Sequence, residues 1–314
     1  MSKTKKFASL AAALIILGAV ITGVCFSILR SRSGVIALNL KEMRFDEFGS
    51  PIKSLDIDVK DKNIKLLHTE DDVFSVEYFD YYGSSLSVGF SDGKLSIREV
   101  KNEWLIVDGL FRLLSNGEER DVYVYLPERL TGNFNIRITN GDLTARGVNA
   151  DGGFTASLTN GNVHIADAAF GNTEIDNVNG NIKIRNLNTG GLAAKSANGN
   201  LDIDGAVIGG GDGERKADIN NTNGNISIKN LAAGSLKIRS VNGLIDASAI
   251  DVTHTDVSLA NGTVKITFPD AKSNYSVSTS VNAGSSNVPT APNPGAEKSV
   301  SVGVKAGSIK LYFN

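Results

Sequence analysis

Four charged residues come nearest in this chain to an arrangement that could do chemistry. Lys183 and Arg185 are followed nineteen residues later by Asp202 and Asp204. Each pair is spaced i, i+2, which puts both members on one face of a strand. With the two strands side by side, two cations would meet two carboxylates. Polysaccharide-cleaving β-helix enzymes need such carboxylates and basic groups on neighbouring coils for general acid and base work. The same set would also hold a saccharide or a metal ion. The plainer reading is a solvated ladder of opposite charges, worth about 0.2–1 kcal/mol per pair, and it outweighs the catalytic one. The four residues are therefore read as an interaction surface rather than as a catalytic centre.

Other candidates are weaker. His68, His164 and His254 are scattered, with no pair at metal-ligand spacing. Gly209-Gly210-Gly211-Asp212-Gly213-Glu214 resembles a calcium-binding glycine–aspartate turn, but it occurs once, and such sites share each ion between successive turns. Asp56, Asp58 and Asp61 lack EF-hand spacing, and no phosphate loop, dinucleotide fingerprint or elbow serine is present. The expectation is no cofactor, no metal and no enzyme activity. A formal net charge of −2 argues against a nucleic-acid partner. Cys25 is the lone cysteine, so an intramolecular disulfide framework is excluded.

What positions the four charges is a repeat. Asn-Gly recurs at Asn140-Gly141, Asn160-Gly161, Asn179-Gly180, Asn198-Gly199, Asn223-Gly224, Asn242-Gly243 and Asn261-Gly262, in steps of 20, 19, 19, 25, 19 and 19 residues. A fixed period of this size marks a stacked repeat. Three residues after each Asn stand Leu143, Val163, Ile182, Leu201, Ile226, Ile245 and Val264; five after stand Ala145, Ile165, Ile184, Ile203, Ile228, Ala247 and Ile266. Four before stand Ile136, Ala156, Ile175, Ala194, Ile219, Ile238 and Val257. Offsets of three and five alternate in and out, which is strand period. Asn-Gly is also a hairpin signal, but a hairpin meander does not require the same offsets to stay apolar in every unit. A stack does, because each residue packs on its equivalent one coil away, about 4.8 Å off. The reading is an all-β parallel β-helix, or β-solenoid, of about 19-residue coils, with rungs stacked in chain order, an Asn ladder along one corner, and the 25-residue step taken up by the glycine run at 209–213.

Ahead of the repeats, residues 1–6 are basic, with Lys3, Lys5 and Lys6. Phe7 to Leu29 then runs 23 residues without a charge and Arg30 and Arg32 follow, as expected for one uncleaved transmembrane helix. The flanking charges put the N-terminus inside. Thr22-Gly23-Val24-Cys25 lacks the small residue that precedes a lipidated cysteine, so Cys25 reads as a membrane-buried thiol. Residues 30–51 read as a linker, 52–130 as N-terminal capping coils and 131–314 as the Asn-Gly solenoid. Trp104–Leu114 is dense in apolar residues and is either a core cap or a membrane-facing or partner-facing patch. Past the repeats, Asn282-Ala283-Gly284 and Ala306-Gly307 look like degenerate bends, and Ser308–Phe313 reads as the last strand.

Val122-Tyr123-Val124-Tyr125-Leu126-Pro127, then Phe134–Asp142, the Asn-Gly series and the closing Ala306-Gly307-Ser308-Ile309 together resemble a bacterial family known as the "putative adhesin" domain of unknown function, which includes LiaG-like membrane-anchored proteins. The resemblance spans roughly 52–313. It implies a parallel, right-handed β-helix-like fold at the cell envelope and brings no catalytic residues. The functional expectation is a single-pass bacterial membrane protein with its N-terminus cytoplasmic and its C-terminal domain extracytoplasmic. That domain would act by binding an envelope polysaccharide or another membrane protein. Alternatives are an envelope-stress accessory that regulates a membrane partner, a carbohydrate-active enzyme, and a cytoplasmic filament-forming solenoid.

Overall fold

The computed structural model describes residues 41–47, 52–71, 74–80, 84–101, 120–127, 130–209 and 215–314. The expected membrane helix at 7–29, Cys25, Trp104–Leu114 and the glycine run from Gly210 to Glu214 lie outside the described residues. In chain order the strands are β1 (Lys41–Glu47), β2 (Ser54–Val59), β3 (Asn63–His68), β4 (Phe74–Asp80), β5 (Ser84–Ser91), β6 (Lys94–Lys101) and β7 (Asp121–Leu126). The repeats follow as β8 (Asn133–Asn140), β9 (Leu143–Arg146), β10 (Phe154–Asn160), β11 (Val163–Phe170), β12 (Thr173–Asn179), β13 (Ile182–Thr189), β14 (Leu192–Asn198), β15 (Leu201–Ile208), β16 (Lys216–Asn223) and β17 (Ile226–Phe268). A short 3-10 turn leads into β18 (Tyr275–Ser286), and β19 (Lys298–Phe313) ends the chain.

The repeats stack as a parallel, solenoid-like sheet in the predicted register. Asn160 pairs with Asn140 on one side and Asn179 on the other, and Ile165 pairs with Ala145 and Ile184. Every residue at offsets −4, +3 and +5 is buried, so the apolar columns are the core. Each fully buried Ile or Leu contributes about 1.5–3 kcal/mol. Aromatic clusters sit nearer the two ends: Phe134, Phe154 and Phe170 with ring centroids 4.6–6.4 Å apart, and Phe268, Tyr275 and Phe313 at 4.8–5.4 Å.

Stacking does not follow chain order at either end, which corrects the expectation. β19 lies between the Asn261 rung and β18: Asn261 pairs with Ala306, and Ala306 pairs with Ala283. At the other end β2 lies between β6 and β8, and β3 between β7 and β9. The segment from β4 to β7 is therefore outboard of the first coil. There the pairing turns antiparallel, in β4–β7, β1–β4 and β5–β6. Antiparallel strands reverse direction through short turns and can close the end of a stack without another full coil. β1 also falls inside the stretch read as a linker; its Met43 and Phe45 pack against the core. Two alternating apolar residues in a charged heptad were too weak a signal to separate a strand from a tether.

Candidate functional site

The corner that opens each coil is built from two amide ladders. Asn160 donates Nδ2–H to Asn140 Oδ1 at 2.8 Å, and the same bond recurs from Asn179, Asn198, Asn223, Asn242 and Asn261, each to the Asn one rung before it, at 2.9–3.0 Å. Asn140 continues the row by donating to Asp61 Oδ1 at 2.7 Å, so Asp61-Lys62-Asn63 is the first corner in another spelling. Two residues after each Asn, side-chain oxygens of Asn63, Asp142, Asn162, Asn181, Asn200 and Asn225 accept a backbone N–H from the next rung at 2.7–3.0 Å. The glycines are obligatory for steric reasons: Gly180 has φ +135°, and a Cβ there would collide with the Gly161 carbonyl.

Seven residues after six of the seven Asn comes a second corner in left-handed backbone: Gly147, Asp167, Asn186, Gly205, Asn230 and Ala249, with φ between 49° and 75°. Sequence reasoning missed this column, although five of its six residues are the types that tolerate that conformation. Its side chains also bond between rungs, Asn186 to Asp167 and Asn230 to Asp204, both at 2.8 Å.

The four charges singled out from the sequence are brought together. Lys183 is in register with Asp202, and Arg185 with Asp204. The bonding is diagonal: Arg185 pairs with the Asp202 carboxylate and donates to the Ile184 and Asp202 carbonyls at 2.9 and 3.2 Å. Asp204 accepts from Asn230. Both carboxylates are thus engaged in a cross-rung network. Nearby, His164 is in register with Thr144 and Lys183, and its pKa lies below the ordinary value because burial, then the Lys183, Arg185 and Arg146 charges, disfavour the imidazolium. Among the described residues, no group of three or more His, Cys, Asp or Glu side chains is placed to hold a metal ion.

Concavity lies elsewhere, before the Asn-Gly corner rather than after it. A trough of about 710 Å³ crosses the later rungs. Its residues come from three adjacent offsets. The third residue before each corner forms one wall, with Asp176, Lys195, Asn220, Arg239, Ser258 and Ser280. The residue just before each corner forms the other, with Ala197, Thr222, Val241, Ala260, Lys305 and Asn282. Between them run Ser196, Asn221, Ser240, Leu259 and Val304, all buried. From the Asn179 rung to β18 the trough crosses seven rungs, roughly 29 Å at about 4.8 Å per rung. Nothing in the sequence marked it, because its two walls are the variable outward columns.

The Toastrack DUF4097 family matches residues 52–310. The chain belongs to this family. That agrees with the resemblance carried by the Leu126-Pro127 strand end and the Asn-Gly series. Two solved structures are similar to this Toastrack chain. One is described as a "putative adhesin" from Bacteroides fragilis, 14% identical over 86% of this chain and 97% of that one, with a TM-score of 0.42. The other is described as a "putative cell adhesion protein" from Clostridium sporogenes, 9% identical over 87% of this chain and 100% of that one, with a TM-score of 0.25. No curated protein matches the chain.

Proposed function

We propose that the chain is a membrane-anchored, extracytoplasmic, right-handed β-solenoid that acts by binding at the bacterial envelope and not by catalysis. The observation that carries this reading is the trough: an open, mixed polar and apolar channel on a stack whose floor is pinned by a continuous parallel ladder. A rigid floor lets a ligand bind without first ordering the protein, which lowers the entropic cost of association. Asp202 and Asp204 are held by Arg185 and Asn230 in a cross-rung network, which fits a structural charge ladder on the stack. The charge-free stretch Phe7–Leu29 supports the anchor.

Three measurements test this. Protease added to whole cells should digest the solenoid while the N-terminal tail stays protected; a protected solenoid would place it inside and overturn the reading. Full-length protein in detergent micelles should sediment with isolated envelope material. An activity that cleaves envelope polysaccharide and disappears in Asp202→Ala/Asp204→Ala would replace binding with catalysis.

A further inference from the structure

Charge along the trough is ordered. Lys195, Arg239 and Lys305 belong to the rungs of Asn198, Asn242 and Ala306, with the rungs of Asn223 and Asn261 between them. Cations therefore recur on every second rung: Lys195 and Arg239 stand on one wall, about 9.6 Å apart at the ordinary spacing of strands, and Lys305, two rungs further, stands on the other wall, with Gly303 facing it. The rungs between present neutral Asn220 and Ser258 on the Lys195 wall. Lys195 and Lys305 are exposed, and Arg239 is shared with Asp218 at 3.2 Å. Asp176, the one acid lining the trough, stands at its end, in register with Lys195. On the opposite wall Ala197, Val241 and Ala260 offer C–H surface, and Val241 is 43% exposed.

We propose that the trough binds a linear anionic polysaccharide laid along the stack, across the strands. Its carboxylates would face the cations on alternate rungs, and its sugar rings would lie against Ala197, Val241 and Ala260. This rests on the binding reading above. Width argues against a helix: the walls are two residues apart along each strand, about 6.6 Å between backbone positions, against about 10 Å for a helix with its side chains. An added peptide strand finds nothing to pair with, because the floor is mid-sheet and its backbone groups are spent on the ladder. The two-rung interval is close to the length of two pyranose units, so an acid on alternate sugars matches the cations in register.

The test uses the full-length chain in detergent micelles with three probes: hyaluronan, which carries a carboxylate on alternate sugars, neutral dextran, and inorganic polyphosphate. Hyaluronan should bind and dextran should not. Lys195→Gln/Lys305→Gln should weaken hyaluronan about tenfold and flatten its salt dependence. Ala197→Trp, which fills the trough and removes no charge, should weaken it too. Circular dichroism of both variants should match that of the parent. Equal binding of dextran would overturn the proposal, as would hyaluronan binding that both variants leave unchanged; either result leaves a binding function standing at another surface. Tighter, variant-sensitive binding of polyphosphate would overturn the choice of polysaccharide. No binding by any probe would overturn the proposal, and sedimentation with envelope material would then decide the broader reading separately.

Discussion

At the scale of single residues the repeat is a set of columns, each with its own physical demand. The left-handed column at offset +7 makes the sharpest case. Ala249 holds φ 50° where its counterparts are Gly, Asp or Asn, and a Cβ in that region costs about 1–2 kcal/mol. Ala249→Gly should therefore raise stability by about 0.5–1 kcal/mol, part of the gain being returned as glycine's extra freedom in the unfolded chain. Asn186→Ala should do the reverse and lose about 1–2 kcal/mol, since it adds the strain and removes the bond to Asp167. Urea midpoints of the two variants check both signs; a destabilised Ala249→Gly would mean that the strain is absent. The Asn column was legible in the sequence because one dipeptide recurred at one period. The +7 column was not, because Gly, Asp, Asn and Ala share a backbone tolerance but no letter. For the trough the difficulty was greater: its floor reads as ordinary core positions and its walls as variable surface, and only their juxtaposition across rungs makes a channel.

Elements raise a different question, that of order. Strand existence was legible almost throughout, since alternating burial depends on local period. Rung order was not, because parallel rungs with matching columns are interchangeable: Ala306-Gly307 fits against Asn261-Gly262 as well as Ala283-Gly284 would. β19 took the inner place and β18 the outer, half-covered one. Amide hydrogen exchange should accordingly find no inward-bonded amide of β18 more protected than its partner on β19, since β18 cannot stay docked once β19 leaves; a slower β18 would contradict the insertion. The seam is locked by Lys298 of β19, which reaches Asp251 at 3.0 Å and Asp270 at 2.7 Å, while the Tyr275 hydroxyl of β18 donates to Asp270 at 3.1 Å. Burial, then that hydrogen bond, pushes the Tyr275 phenol up to about 12 from 10.0. A group raised on folding contributes its full stability below its unfolded pKa and loses it as pH climbs through the folded one. The seam should hold to about pH 10 and weaken between about pH 10 and 12. Lys298, raised by its bond to Asp270, adds to the same limb, so Tyr275→Phe should reduce the alkaline limb in a plot of urea midpoint against pH without abolishing it; an unchanged limb would assign it to other groups.

For the molecule as a whole, the consequence of stacking is that stability is close to a sum of rungs and interfaces between neighbours. Contacts run from one rung to the next, so a lesion acts according to where in the stack it falls. Gly180 and Gly284 allow the comparison, because they share a glycine geometry and a carbonyl contact at different depths. Gly180 has rungs on both sides, at Asn160 and Asn198, and a Cβ there would strike the Gly161 carbonyl. Gly284 lies on the terminal rung, where a Cβ would strike the Gly307 carbonyl, but its other side is free of a further rung. Both have φ near 140° (135° and 141°), so the intrinsic strain of an alanine is alike. The difference must come from relaxation. A terminal rung can lift away at the loss of one interface, whereas a central rung can move only by opening two. Gly180→Ala should cost on the order of 3 kcal/mol and Gly284→Ala about 1 kcal/mol or less. The form of unfolding should differ as well. A weak interface in the middle divides the array, so Gly180→Ala should split a single urea transition into two, each with a smaller dependence on denaturant, while Gly284→Ala should keep one transition and only fray the end. Equal costs and one shared transition for both variants would mean that the corner glycines are coupled through the whole prism, and that nearest-neighbour stacking does not describe its energetics.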